Sequence, residues 1–465
     1  MKIAFHGAAR AVTGSKHLIT LNNGIQILLD CGLFQGMGDV TESLNESFGF
    51  NPEKVNYMIL SHAHIDHCGL LPRLVAEGFR GPVFCTPATK DLARILLLDS
   101  AKIQMQDAEY ANKKIKRVED QEMPLYTDKD VHQTLSQFKT IPYDQDFNIS
   151  PDISVCFTDA GHIVGSAAVH LKVNEEGKET RLTFSGDVGR YGDLLLKSPQ
   201  TFPQADYIIM ESTYGDSLHV DLDPIENMLL QVIRHTCLEK GGKVIIPAFS
   251  VGRTQELLYA LNGLELKNQL PAVPYYVDSP LSLEATEVLR NHPEVYNNGV
   301  KEVLKVDRDI FGFKGLRFIE DVAESKALNS EQQPCVIISS SGMAEGGRVR
   351  HHIRNNISDK KNTILMVGYA SPGSLAGRLI GGQKRVWLFG QEYDVIAEIR
   401  SIKSMSAHGD YEDLLQFLSV QDASKVKQVF LVHGEYEVQQ NFAQRVRAAG
   451  FSNVAIPEYH QEFEL

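Results

Sequence analysis

Four side chains able to hold a metal, His62, His64, Asp66 and His67, fall within the run Ser61-His62-Ala63-His64-Ile65-Asp66-His67-Cys68-Gly69. Imidazole nitrogen and carboxylate oxygen together suit zinc, which accepts both at about 2.0–2.2 Å. Four ligands so close in sequence crowd one tetrahedral ion. Two neighbouring ions, each taking two of them, fit better. Cys68 beside them reads as packing, because thiolate is not needed once His and Asp suffice. The apolar residues 55–60 before the cluster predict a buried strand, and residues 69–75 after it a helix start with Pro72 tolerated in the first turn. The ligands then sit on a strand-to-helix loop, where side chains can converge on one point.

Two ions need more ligands than this loop holds. Elsewhere the chain repeats one pattern, an apolar strand that delivers His or Asp at its C-terminal end. Residues 155–159 lead to His162, 181–185 to Asp187, 429–432 to His433 and 25–29 to Asp30. One strand-end histidine is usually an ordinary loop residue. Several on one chain predict one site at one edge of a sheet.

The loop reads H-x-H-x-D-H, and here the chain resembles the metallo-β-lactamase superfamily. More narrowly, it resembles the β-CASP nucleases, which include the endonuclease subunit that cuts pre-mRNA 3′ ends, its bacterial and archaeal relatives, and RNase J. The resemblance covers essentially the whole chain. It is carried also by Met210-Glu211-Ser212-Thr213-Tyr214-Gly215, residues 246–256, residues 341–348, Ser406-Ala407-His408-Gly409-Asp410 and His433-Gly434-Glu435.

That resemblance implies two zinc ions per chain. One would be held by His62, His64, His162 and Asp187, the other by Asp66, His67, Asp187 and His433, with Asp187 bridging. Zinc lowers the pKa of bound water to about 7, so the implied nucleophile is a metal-bound hydroxide. The products would be 5′-phosphate and 3′-hydroxyl ends. Asp66 therefore counts with the catalytic residues as well as with the ligands. His408 matches the family histidine that contacts the scissile phosphate, oriented by the acid at Glu211. It would act as general acid or neutralise charge. Asp30 is placed behind a ligand or bound water, with a plain turn before Gly32 as the alternative.

The composition is that of a globular protein, 43% hydrophobic and 23% charged over 465 residues, too long for one core. No apolar run reaches the roughly 18 residues of a membrane span, and the N-terminal stretch does not read as a signal peptide. The six cysteines are scattered without C-x-x-C pairs, which predicts reduced, mostly buried thiols and a cytoplasmic protein. The net charge of −13 is awkward for a nucleic-acid enzyme. Locally it reverses: residues 339–385 carry eight Lys and Arg against two acids.

Residues 1–212 and 386–465 read as the two parts of a metallo-β-lactamase domain, an αββα sandwich. Residues 213–385 read as an inserted β-CASP α/β lobe of mostly parallel sheet, since strands there alternate with helices. The helix-rich stretch 91–138 reads as an insertion flanking a cleft. Within the inserted lobe, substrate phosphates are expected on Arg253, at a helix start after a strand, on Ser339, Ser340 and Ser341, and on Arg348 and Arg378. Tyr214 and Tyr369 are candidates for base stacking. The expected partner is single-stranded RNA, without membrane; a homodimer is allowed.

Three other readings share parts of this pattern. A small-molecule thioester or lactam hydrolase would leave Glu211, His408 and the inserted lobe without a task. A non-catalytic RNA-binding scaffold would have lost ligands, and all seven are present. A DNA-processing nuclease is nearer, but such family members tend to lack the last histidine, so His433 favours RNA. The hydrolysis itself needs no 2′-OH.

Overall fold

The structure, a computed structural model, describes residues 1–113, 117, 121–219, 224–368, 370–371, 373–402 and 405–465. Tyr369 lies outside the described residues. The chain divides into two compact units, Met1–Leu218 with His408–Leu465, and His219–Ala407.

The first unit is built on two seven-stranded sheets. One runs Glu462–Glu464, Lys2–Phe5, His17–Thr20, Gln26–Leu29, Tyr57–Ile59, Val83–Cys85, Phe138–Thr140 in spatial order. The other runs Val454–Ala455, Gln428–Val432, Tyr207–Glu211, Lys178–Phe184, Ala167–Glu175, Ile153–Asp159, Phe147–Ser150. Ile3, Phe5, Leu29 and Ile59 of the first meet Phe157, Val169, Phe184, Ile209 and Phe430 of the second in a common core. Strand residues of the opposite parity, Ile208, Met210, Val429 and Leu431, pack outward on the helices Tyr411–Leu418 and Tyr436–Ala448. Burial on both faces is why these strands read as unbroken apolar runs rather than as alternating ones.

The helix Asp128–Leu135 packs on both Leu71–Ala76 and Pro87–Asn112 within this unit. This corrects the reading of residues 91–138 as an insertion flanking a cleft. The first half of Pro87–Asn112 buries Ala88, Leu92, Ile95, Leu96 and Leu97, and Phe138–Thr140 is the edge strand of a sheet.

In the second unit six strands are all parallel, in the order Leu316–Phe318, Tyr275–Asp278, Val336–Ser339, Val244–Pro247, Thr363–Val367, Glu398–Ile402. The helices Arg253–Leu266, Pro280–Asn291 and Val349–Asn356 connect them, as the strand–helix alternation predicts. The boundaries differ from those expected at 212/213 and 385/386. Glu398–Ile402 pairs with Thr363–Val367, and Arg385–Leu388 forms a hairpin with Gln391–Asp394, so residues 386–407 belong to the second unit. A strand's composition does not say which sheet it joins; that is decided by its partner.

Candidate active site

Strand direction explains the convergence of the site. Gln26–Leu29 and Tyr57–Ile59 are parallel, and so are Lys178–Phe184, Tyr207–Glu211 and Gln428–Val432. Their C-terminal ends therefore fall on one edge, and each delivers a polar residue there: Asp30, His62, Asp187, Glu211 and His433. Ile153–Asp159 runs the same way as Lys178–Phe184, being two antiparallel steps from it, and leads to His162. Asp30 and His433 take positive φ, 57° and 52°, the left-handed turn that bends a strand end back on itself. Gly32 lets two ligand loops touch, for a Cβ there would lie 1.6 Å from the Asp66 carbonyl oxygen.

Two sets of donor atoms result. In the first, the His64 Nδ1 lies 3.1 Å from both His62 Nε2 and His162 Nε2. Asp187 Oδ2 is 3.4 Å from His62 Nε2 and 3.5 Å from His162 Nε2. In the second, Asp187 Oδ1 is 3.2 Å from His67 Nε2 and 3.6 Å from His433 Nε2, which is 3.4 Å from Asp66 Oδ2. The two oxygens of Asp187 thus face different sets. A tetrahedral ion with ligands at about 2.05 Å has donor–donor edges of about 3.3–3.4 Å, which both sets approximate. Two further observations fit a cation between these atoms. His67 Nε2 and Asp187 Oδ1 are buried without a hydrogen-bond partner among the described residues. Burial also pushes His62 down to about 3 and His64 to about 4, and holds His162 well below its ordinary value. These imidazoles are neutral and keep a lone pair to donate. The residues present fit a metal.

The far nitrogen of several ligands is fixed from behind. Asp30, fully buried, accepts at 2.6 Å from His67 Nδ1 and at 2.8 Å from the Ser61 amide and hydroxyl. Burial raises the Asp30 pKa. His67 also resists charging by burial, but Asp187, Asp30 and Asp66 outweigh it and hold its pKa well above 6.5. Thr213 Oγ1 meets His433 Nδ1 at 2.9 Å, and Ser61 Oγ meets His62 Nδ1 at 3.0 Å. Such partners orient a ligand and set its tautomer. Ser61 and Thr213 went unrecognised in the sequence, although each adjoins a motif residue.

His408 lies beside both sets without belonging to either. Its Nδ1 is 3.1 Å from Glu211 Oε1 and 3.9 Å from Asp187 Oδ2. Glu211 is fully buried and also accepts from the amides of Val188 and Thr213 at 2.7 and 3.1 Å. The chain is pinned on either side of the histidine. The Gly409 amide donates to the Val188 carbonyl at 2.8 Å, and Asp410 caps the helix Tyr411–Leu418. Burial works against a charged His408, but the Glu211 carboxylate, then Asp187 and Asp66, raise its pKa to about 9. Cys68 donates to the Ala63 carbonyl at 3.1 Å and joins neither donor set.

Three domain profiles match the chain: a metallo-beta-lactamase superfamily domain at residues 18–180, a Beta-Casp domain at 254–379, and a Zn-dependent metallo-hydrolase RNA specificity domain at 392–457. A protein named a ribonuclease from Thermus thermophilus is 35% identical over 442 residues, spanning 94% of each chain. The chain belongs to the β-CASP family of metallo-β-lactamase-fold nucleases. It is a metal-dependent hydrolase. An RNase J-like protein from Methanocaldococcus jannaschii is 29% identical over 449 residues, 96% of this chain and 95% of that one. A transcription termination factor FttA from Methanosarcina mazei is 31% identical over 432 residues, covering 90% of this chain but 65% of the factor. The fold is also similar to that of a crystal structure of a protein of unknown function from Enterococcus faecalis, with TM-score 0.54, 12% identity and coverage of 100% and 99%.

In the β-CASP unit the side chains expected at phosphates have partners within the fold. Arg348 Nη1 donates to Asp278 Oδ1 at 2.7 Å, and its Nη2 to the Glu320 carbonyl at 2.6 Å. Arg253 is buried and paired with Glu256, and the amides of Arg253 and Thr254 are taken by the carbonyls of Val251 and Phe249. Ser339 is buried and donates to the Asp278 carbonyl at 2.8 Å. Ser340 meets Ser279 Oγ at 3.1 Å, Ser341 approaches the Gly346 backbone, and Arg378 donates to the Gly373 carbonyl at 2.7 Å. At the carboxyl edge of a parallel sheet, loop carbonyls lack strand partners and must be satisfied. Ser339 and Arg348 do that and knit strand ends together, whereas Arg253 pairs with Glu256 inside its own helix. Asp278 is the centre of the knot: its Oδ2 also meets His352 Nε2 at 2.6 Å and Ser325 Oγ at 2.5 Å. Asp278 ends an apolar strand, as Asp30 and Asp187 do, but was not singled out by its sequence.

No described helix is long and apolar enough to cross a membrane. The described cysteines are all free, and all but Cys156 are buried.

Proposed function

We propose that this protein is a zinc-dependent ribonuclease that hydrolyses single-stranded RNA at the double donor set, leaving 5′-phosphate and 3′-hydroxyl ends. The observation that carries the reading is Asp187, whose two oxygens face two separate sets of imidazoles while Oδ1 has no hydrogen-bond partner among the described residues. The choice of RNA is supported by the names of the relatives and by the RNA specificity profile.

His62, His64, His162 and Asp187 would hold one zinc, and Asp66, His67, Asp187 and His433 the other. When bound, such a pair supplies Lewis-acid charge at the phosphoryl oxygens and makes a water molecule acidic enough to attack at neutral pH. The protein's own groups do the rest. Asp30, Ser61 and Thr213 hold the imidazoles in the tautomers that present lone pairs inward. Glu211 fixes His408 through Nδ1, which turns Nε2 away from the carboxylate. His408 is thereby placed to give a proton to the departing 3′ oxygen, or to offset the charge that gathers on it.

Purified protein loaded with zinc should be incubated with end-labelled and with circular single-stranded RNA. Products with 5′-phosphate and 3′-hydroxyl ends by mass spectrometry support the reading, and cutting of the circle shows endonuclease action. A 2′,3′-cyclic phosphate would mean attack by the neighbouring 2′-OH and would overturn it. So would protein purified without chelators that holds no transition metal.

A further inference from the structure

With Arg253 and Arg348 paired inside the fold, the carboxyl edge of the β-CASP sheet still carries one side chain without a structural task. Phe249 follows the strand Val244–Pro247 and is 45% exposed. Among the described residues no aromatic ring or guanidinium stacks on it. It lies against Gly342, in the loop after the neighbouring strand Val336–Ser339: a Cβ at Gly342 would stand 2.8 Å from the Phe249 ring. The glycine thus lets the ring rest on bare backbone. A single exposed apolar side chain is common. What distinguishes this one is its place in the topology.

Val244–Pro247 and Val336–Ser339 are neighbours in the sheet, but the chain leaves them in opposite directions. From the first it passes through the helix Arg253–Leu266 to Tyr275–Asp278, toward one edge of the sheet. From the second it passes through Val349–Asn356 to Thr363–Val367, toward the other. Right-handed crossovers in opposite directions place the two helices on opposite faces. The packing agrees: Val349 and Ile353 share a core with Ile245 and Ile337, and no residue of Arg253–Leu266 belongs to it. The two loops therefore part at the carboxyl edge and leave a crevice between them, which is where open parallel sheets take their ligands. Phe249 comes from one loop and Gly342 from the other.

We propose that Phe249 is a stacking platform for one base of the single-stranded RNA substrate, held on Gly342 at this switch in strand order. The inference rests on the ribonuclease reading above. Stacking needs no charge and accepts every base, which suits an edge whose Arg253 and Arg348 have partners in the fold.

Iodouridine cross-links under ultraviolet light to an aromatic ring stacked on it, and the sequence makes the product easy to place. Trypsin cuts after Lys243 and after Arg253, and Phe249 is the only aromatic residue of the peptide between. The test uses full-length, zinc-loaded protein slowed by His408→Ala and an iodouridine-substituted oligouridylate of about twelve nucleotides, within the usual single-strand site size. After irradiation, mass spectrometry should find uridine attached to the peptide 244–253. By anisotropy of a labelled copy, Phe249→Ala and Phe249→Leu should each weaken binding about fivefold or more, and Phe249→Tyr should keep it. The slope of log affinity against log salt should stay unchanged in all three, because no phosphate contact is lost. Leucine fills the space without stacking, so a purely structural ring would be rescued by it. With His408 intact, hydrolysis of bis(p-nitrophenyl) phosphate should be unaffected by these changes.

RNA that binds but leaves no uridine on that peptide, or that binds Phe249→Leu as tightly as the parent, would overturn the platform while leaving the ribonuclease reading in place. Self-association of the parent that Phe249→Ala abolishes, seen by sedimentation without RNA, would overturn it too, in favour of an interface between copies. No RNA binding by the parent protein would instead sink the ribonuclease reading, and this platform with it.

Discussion

Replacing Asp30 with asparagine should unload one metal position and spare the other. Asp30 Oδ1 accepts from the Ser61 amide at 2.8 Å, and Oδ2 lies 2.6 Å from His67 Nδ1. Asparagine keeps the shape and the acceptor for the Ser61 amide, but presents an amide N–H₂ to His67 and to the Ser61 hydroxyl. The Nδ1 must then accept, and the ring proton moves to Nε2. That nitrogen lies 3.2 Å from Asp187 Oδ1, so the proton occupies the place a cation would take. Loss of such an orienting carboxylate lowers metal affinity about 10–100-fold, or about 1.4–2.8 kcal/mol. The set of His62, His64 and His162 is linked to Asp30 less directly, through the Ser61 hydroxyl, whose oxygen can accept from both the new amide and His62 Nδ1, and through the shared Asp187, and should change little. The assay is metal content per chain by mass spectrometry after equilibration with graded chelator. Wild type should release its two ions at similar chelator levels; Asp30→Asn should release one of them at about 10–100-fold less. A general folding defect would show as a lower unfolding midpoint of the chelated protein. Loss of both ions together, or of neither, would refute the assignment of Asp30 to His67.

Other outcomes follow from the same geometry. His408→Ala should keep its metal content and lower turnover about 10²–10⁴-fold, whereas His433→Ala should lose part of one metal; metal loss in the first and not in the second would reverse the two roles. Arg348→Ala removes a partner of the buried Asp278 and should cost about 3 kcal/mol in urea unfolding, with the salt dependence of RNA binding unchanged; the opposite pattern would restore the phosphate clamp. His170, away from the metal sets, bonds the hydroxyls of Thr158 and Thr183 at 2.8 and 3.0 Å, and burial pushes its pKa from 6.5 down to about 3. The native state then binds fewer protons than the unfolded chain between these values, so this stability is present above pH 6.5 and is lost as pH falls toward 3. The stability difference between wild type and His170→Gln should shrink by about 2–3 kcal/mol from pH 7 to pH 4.5, and a constant difference would contradict the assignment.

Much of the site is legible in one dimension because metal chemistry demands particular side chains. His62, His64, Asp66 and His67 declare themselves by density, and His162, Asp187 and His433 by recurring at the ends of apolar runs. The same regularity reveals the fold class: strands buried on both faces are continuously apolar, and strand–helix alternation forces a parallel sheet. What no spacing displays is direction. That six strand ends share one edge, and that the two oxygens of Asp187 face different histidines, depends on which strands pair and in what sense.

The failures have the same origin. Arg253, Ser339 and Arg348 have the composition of a phosphate site, and a glycine- and serine-rich turn looks alike whether it faces a ligand or the next loop. Only the folded chain shows that Glu256, Asp278 and bare carbonyls pair with those donors. Residues 386–407 likewise look like any strands until Glu398–Ile402 finds Thr363–Val367. Side-chain chemistry is a local property and can be read from the sequence; whether a charged group is spent or available is a property of its neighbours. Those neighbours, distant in sequence, are supplied only by the tertiary structure.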